Sequence, residues 1–174
     1  MKKLWAIGLT AAVLLAGCGE EESAESKETT AGAEGSEDSK EVKQELMKFY
    51  MSIPNTINAV DADLNAFEMN QAEDTLPEGE ELQAMKDAAI ASAEEAANAV
   101  ETVEIPAALE EQQEKFDTAF AAMIESYEMK AEELTKDASF EAADEKFGEA
   151  DAILNELLVE QDLAASSIYN EVSQ

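Results

Sequence analysis

The chain has 174 residues, and its 11 lysines stand against 41 Asp and Glu for a formal charge of −30, with no arginine and no histidine. A nucleic-acid binder needs a basic stripe to neutralise phosphates, and imidazole is the commonest metal ligand and general base near neutral pH; both are missing. A single cysteine excludes an intramolecular disulfide and a multi-cysteine zinc site, while 45% hydrophobic residues is too many for a wholly disordered chain.

The first element is a leader. Lys2 and Lys3 precede an apolar run, Leu4 to Leu14, that is shorter than the ~20 residues a spanning helix needs. It ends at Leu15-Ala16-Gly17-Cys18, and four of the six residues after Gly19 are acidic. This pattern reads as a signal peptide over residues 1–17.

Leu15-Ala16-Gly17-Cys18 resembles the lipobox of bacterial lipoproteins. The resemblance implies that Cys18 carries diacylglycerol through a thioether and that cleavage falls just before it. Two or more acyl chains give stable attachment, at about 0.8 kcal/mol per buried CH₂. The expected location is the outer face of the cell membrane, with lipid on Cys18 as the contact. Loss of Lys2 and Lys3 leaves nine lysines against 41 acids, a formal charge of −32.

Residues 18–39 follow as the lipidated cysteine and an acidic linker. From Glu20 to Ser39 there is no large apolar residue, so little burial offsets the entropy of ordering, and disorder is expected. A flexible coil of this length reaches about 25 Å. Layouts of this kind are similar to small helical lipoproteins of Bacillus-like Gram-positive bacteria, some described as wall-binding.

From residue 40 to 174 apolar residues recur at spacings of three and four, the period of amphipathic helices. The first stripe is Val42, Leu46, Phe49, Ile53, Ile57, Val60, Leu64 and Phe67, with a kink or break expected at Pro54. A turn at residues 74–79 leads to an alanine-rich stripe, Leu82, Met85, Ala89, Ala93, Ala96, Val100 and Val103. After Pro106 comes Leu109, Phe116, Phe120, Met123, Ile124, Tyr127, Ala131 and Leu134. Ser139 is the expected cap of a fourth stripe, Phe140, Ala143, Phe147, Ala150, Leu154 and Leu157, and Ile168 and Val172 fold back onto the body. The expected fold is all-α: a four-helix, antiparallel up-down bundle, with a three-helix bundle as its rival.

A faint repeat, Glu114-Lys115-Phe116 with Ala119 and Ile124 against Glu145-Lys146-Phe147 with Ala150 and Ile153, is expected from two helices sharing one core pattern, with true duplication as the alternative. Asp61-Ala62-Asp63-Leu64-Asn65 matches the opening of a calcium-binding EF-hand loop. The match fails at Ala66, where glycine is needed, and at Ala72, where a bidentate glutamate is needed. The segment therefore reads as a solvated helix face, and no metal ligands or cofactor are assigned. Adjacent pairs such as Glu94-Glu95 point into water, where nothing raises a pKa, so no catalytic residues are assigned. Met47, Tyr50 and Met51 form the candidate partner surface, because methionine adapts to irregular apolar partners.

The reading is a non-enzymatic, lipid-anchored interaction or accessory module whose partner is another envelope protein or a wall component. The alternatives are a carboxylate-based binder of divalent cations or small cationic ligands, and an envelope hydrolase. Charge of this size and sign repels itself across the folded surface, and added salt screens that repulsion. The melting temperature is therefore expected to rise between low and moderate salt; a flat or falling value measured by circular dichroism would contradict this.

Overall fold

The computed structural model describes residues 34–172, with side chains from residue 39 onward; the leader, Cys18 and most of the expected linker lie outside the described residues. The regular elements of that span are all helical: α1 (Glu34–Asn58), α2 (Ala62–Ala72), α3 (Glu80–Glu101), a 3₁₀ turn (Ala107–Gln112), α4 (Gln113–Leu134), α5 (Glu141–Glu160) and α6 (Ile168–Val172). None of the described helices is long and apolar enough to cross a membrane.

Three expectations about boundaries are corrected. Helix α1 begins at Glu34, inside the segment expected to be disordered to residue 39. Pro54 lies inside the continuous α1, and the break comes at residues 59–61. The proline removes the N–H that would bond the Tyr50 carbonyl. Side-chain donors serve the carbonyls around that gap: Ser52 to Phe49 at 2.7 Å, Asn55 to Met51 at 2.8 Å and Thr56 to Ser52 at 3.0 Å. Ser139 does not cap α5, because the helix begins at Glu141 and Phe140 occupies the cap position without a side-chain bond.

The break between α1 and α2 is held from α3, whose Ser92 hydroxyl donates to the Val60 carbonyl at 2.7 Å. Helices α2 and α5 share a Schellman ending. Asp74 N–H bonds the Gln71 carbonyl and Thr75 N–H the Asn70 carbonyl; Asp162 and Leu163 bond Val159 and Leu158 in the same way. Asp74 and Asp162 sit at φ 54° and 52°, the left-handed position that glycine more often fills. Gly79, at φ 64°, does fill such a position, where the turn enters α3.

Helix α4 packs most extensively against α3 and α5, and α2 packs on α3. Lys115 meets Glu156 and Glu160 of α5, whereas Lys130, four turns later, meets Asp144, so α4 and α5 run in opposite directions. The two halves of the faint repeat occupy equivalent places: Phe116 and Phe147 are both buried, and Lys115 and Lys146 each reach acids on the facing helix. Phe49 of α1 meets Phe116 and Phe120 edge-on at 5.0 and 6.2 Å, and Phe67 of α2 meets Phe140 at 6.2 Å. Tyr127 and Tyr169 flank Phe147 at 5.8 and 5.4 Å.

On α3 the buried face is Ala89, Ala93, Ala96 and Val100. Small side chains there allow close helix approach, and the site has no room for a larger one. Ala93→Leu is expected to cost about 1–3 kcal/mol by overpacking, read as a lower urea midpoint, while a change at exposed Ala84 should leave the midpoint nearly unmoved.

Candidate functional site

One lysine has left the surface. Lys130 on α4 is 5% exposed and lies three residues after Tyr127 and four before Leu134, inside the apolar stripe. Its ammonium donates to Glu68 of α2 at 2.7 Å and lies 3.0 Å from Asp144 Oδ1 of α5. The ammonium also stands 5.5 Å from the centre of the Phe140 ring, within cation–π range. Burial alone would lower its pKa, but Glu68 and Asp144 outweigh it and hold the ammonium above the ordinary lysine range. One buried charge thus joins three helices.

Two open clefts flank this cluster. The first, about 780 Å³, lies over α2 and α5 and is lined by Glu68, Phe140, Asp144, Asp151, Ser167 and Tyr169, among others. The second, about 830 Å³, lies over α2, with Asp61, Asn65, Glu68, Met69 and Tyr169 in its lining. Glu68, Ala72 and Tyr169 belong to both, so Tyr169 of α6 forms a wall shared by the two.

Helix α6 is held largely by polar fasteners. Ser167 accepts from Asn170 N–H at 3.2 Å, the bond of an N-cap. From α5, Asp151 accepts the Ile168 N–H at 2.7 Å and Asn155 accepts the Ser166 N–H at 2.8 Å. At its far end, Asn58 and Asn65 donate to the carbonyls of Glu171 and Val172 at 3.0 and 2.8 Å. Ile168 and Val172 are buried beneath it, as the sequence pattern anticipates.

Asp61 corrects the solvated-face reading of the Asp61–Asn65 segment. It is 2% exposed and sits four residues after Ile57, on the buried side of the turn into α2. Burial is the largest cause of a pKa pushed up to about 6; a hydrogen bond with Asn65 opposes the rise, and Glu68 adds to it. Burial also raises the neighbouring Tyr127 phenol well above its ordinary range, with Asp61 and Glu68 adding to the effect. Among the described residues no three acids converge to hold a metal ion.

Tyr50 also falls elsewhere than the candidate partner surface. Met47 and Met51 are 48% and 53% exposed, but Tyr50 is 3% exposed and part of the core. It stands four residues after Leu46 and three before Ile53, so the helical period turns it inward. Its hydroxyl lies near Ser166 and the Ile168 backbone without a bond of regular geometry, and burial, aided by Asp151, pushes its pKa up to about 12. Cys18 lies outside the described residues. The two clefts engage neither Met47 nor Met51. Compared with known proteins, the chain matches no family model, no curated protein and no solved structure.

A carboxyl whose folded pKa, about 6, exceeds its unfolded value near 3.8 binds its proton more tightly in the folded state. Its stabilising contribution is complete below the unfolded value and is lost as pH rises through the folded one. Asp61→Asn is therefore expected to stabilise the protein by about 1–3 kcal/mol at neutral pH and to flatten the decline in stability between pH 4 and 7. Urea unfolding across that range checks this; an unchanged pH profile would contradict it.

Proposed function

We propose that the chain is a bacterial lipoprotein, anchored through acylated Cys18 on the outer face of the cell membrane, whose helical body is a non-enzymatic interaction module. The observation that carries this is Leu15-Ala16-Gly17-Cys18 after a short apolar run, with the chain's one thiol at the position that takes lipid. In this reading the body is an up-down bundle in which α1 and α2 form a broken first leg and α3, α4 and α5 the other three. Short connections and the opposed course of α4 and α5 support that arrangement.

The clefts favour a second reading, as a binder of a small organic cation. Carboxylates of Glu68, Asp144 and Asp151 line the first cleft beside the Phe140 and Tyr169 rings, and such rings attract cations through their faces. The partner module and the cation binder share the same anchor.

Cys18→Ser tests the anchor. The wild-type chain is expected to enter the detergent phase on Triton X-114 partition and to incorporate an alkyne-labelled fatty acid. The variant should stay in the aqueous phase without label. Equal partition of the two, or label in both, would contradict the proposal.

A further inference from the structure

We propose that the exposed face of α1 is the side on which the body rests against the lipid headgroup layer of the membrane that holds it. This orientation rests on the anchor at Cys18. The described surface is unevenly acidic. From Ser39 to Asn58 ten side chains of α1 are exposed, and one of them, Glu41, is acidic. On α3 six of ten exposed side chains are acidic, on α4 five of eight and on α5 five of nine.

Helical spacing gathers the exceptions on α1 into one stripe. Lys40, Gln44, Met47, Lys48, Met51 and Asn55 are all exposed and fall within about 100° of one another around the helix. Met47 and Met51 stand one turn apart in it, two of the four large apolar side chains that the described surface exposes. Lysine can lay its stem on apolar surface while its ammonium reaches a headgroup phosphate, so Lys40 and Lys48 suit the same boundary as the methionines. Glu41 and Glu45 border the stripe on one flank. Glu45 takes Lys48 at 3.4 Å, an exposed pair of the kind that contributes little and that a phosphate can replace.

The size of the stripe and the place of the anchor select the occupant. A stable pair of protein copies buries about 800 Å² and about 20–30 residues a side, several times what six residues provide. A tethered contact needs far less, because the tether holds the two surfaces at high effective concentration. Cys18 and Glu34 are 16 residues apart, a span of at most about 55 Å, and α1 is the first described helix after the anchor. A headgroup layer offers phosphates to the lysines and an apolar boundary to the methionines. The acids of α3, α4 and α5 turn those faces away from the same layer.

The lipidated chain in vesicles of phosphatidylglycerol and phosphatidylcholine tests the orientation. Acylation occupies the chain's one thiol, so Gln44→Cys in the stripe, or Ala91→Cys among Asp87, Glu94 and Glu95 of α3, leaves a single thiol for a fluorescent label. Flotation with the vesicles reports the anchor, and a lipid with a nitroxide headgroup then quenches a label lying against the surface. In the floated chain the label at residue 44 should be quenched at least about threefold more than the label at residue 91. Met47→Glu combined with Met51→Glu, both at exposed positions, should bring the two labels to within about 1.5-fold of each other. A chain that does not float overturns the anchor and this orientation with it. In a floated chain, equal quenching at the two positions, or a difference that survives the double variant, overturns the orientation alone. Energy transfer between copies labelled at residue 44, without quenching by the lipid, assigns the face to a second copy and overturns it as well.

Discussion

The structure depends on where a very acidic chain places its few cations. Acids far outnumber lysines, so what distinguishes the lysines is where they stand. Among the described residues, Lys43, Lys86, Lys115, Lys130 and Lys146 fall at seams between helices, whereas Lys48 and Lys136 pair with acids three or four residues away. Lys43 reaches Asp162 beyond α5, Lys115 and Lys146 cross between α4 and α5, and Lys86 donates to the carbonyl of Lys136 at the end of α4. Most of these pairs are exposed and contribute little each, about 0–1 kcal/mol. Lys130 differs because it is buried and meets acids from two other helices. Breaking a buried pair from one side leaves an uncompensated charge, so such a contact fixes an arrangement even where its net contribution to stability is small.

Where lysine is not used, neutral donors join distant segments. Asn58 and Asn65 hold the C-terminal turn, Gln71 donates from α2 to the Ala138 carbonyl before α5, and Ser126 donates from α4 to the Ala143 carbonyl. Amides and hydroxyls satisfy buried carbonyls without adding charge, which suits a molecule already repelling itself. The same economy gives the clefts their character. Acids and aromatic rings stand in their walls and no lysine does, although Lys130 pairs with Glu68, which lines both.

Much of the fold was legible because burial follows the helical period. Phe116, Phe120, Tyr127 and Leu134, and Phe140, Phe147, Leu154 and Leu157, all lie inside as their spacing requires. The break at residues 59–61 was not legible, because it depends on Ser92, which is distant in sequence, and Pro54 offered a stronger local signal. Nor were the left-handed endings at Asp74 and Asp162, where no glycine marks the turn. The site was hidden by residue type. Lys130 and Asp61 occupy core positions of their helical stripes, yet charge reads as surface unless the partners are known, and Glu68 and Asp144 lie far from Lys130 in sequence. Tyr50 lies in the core and not on the candidate partner surface, because its spacing from Leu46 and Ile53 turns it inward.

The central claim is that Lys130 and Glu68 act as a unit joining α2 to α4. A double-mutant cycle with Lys130→Met, Glu68→Gln and the pair, followed by urea unfolding at neutral pH, measures it most directly. The account predicts a coupling energy above about 1 kcal/mol, with the double variant more stable than the sum of the two single losses implies. Additive losses, with coupling within about 0.3 kcal/mol of zero, would contradict it.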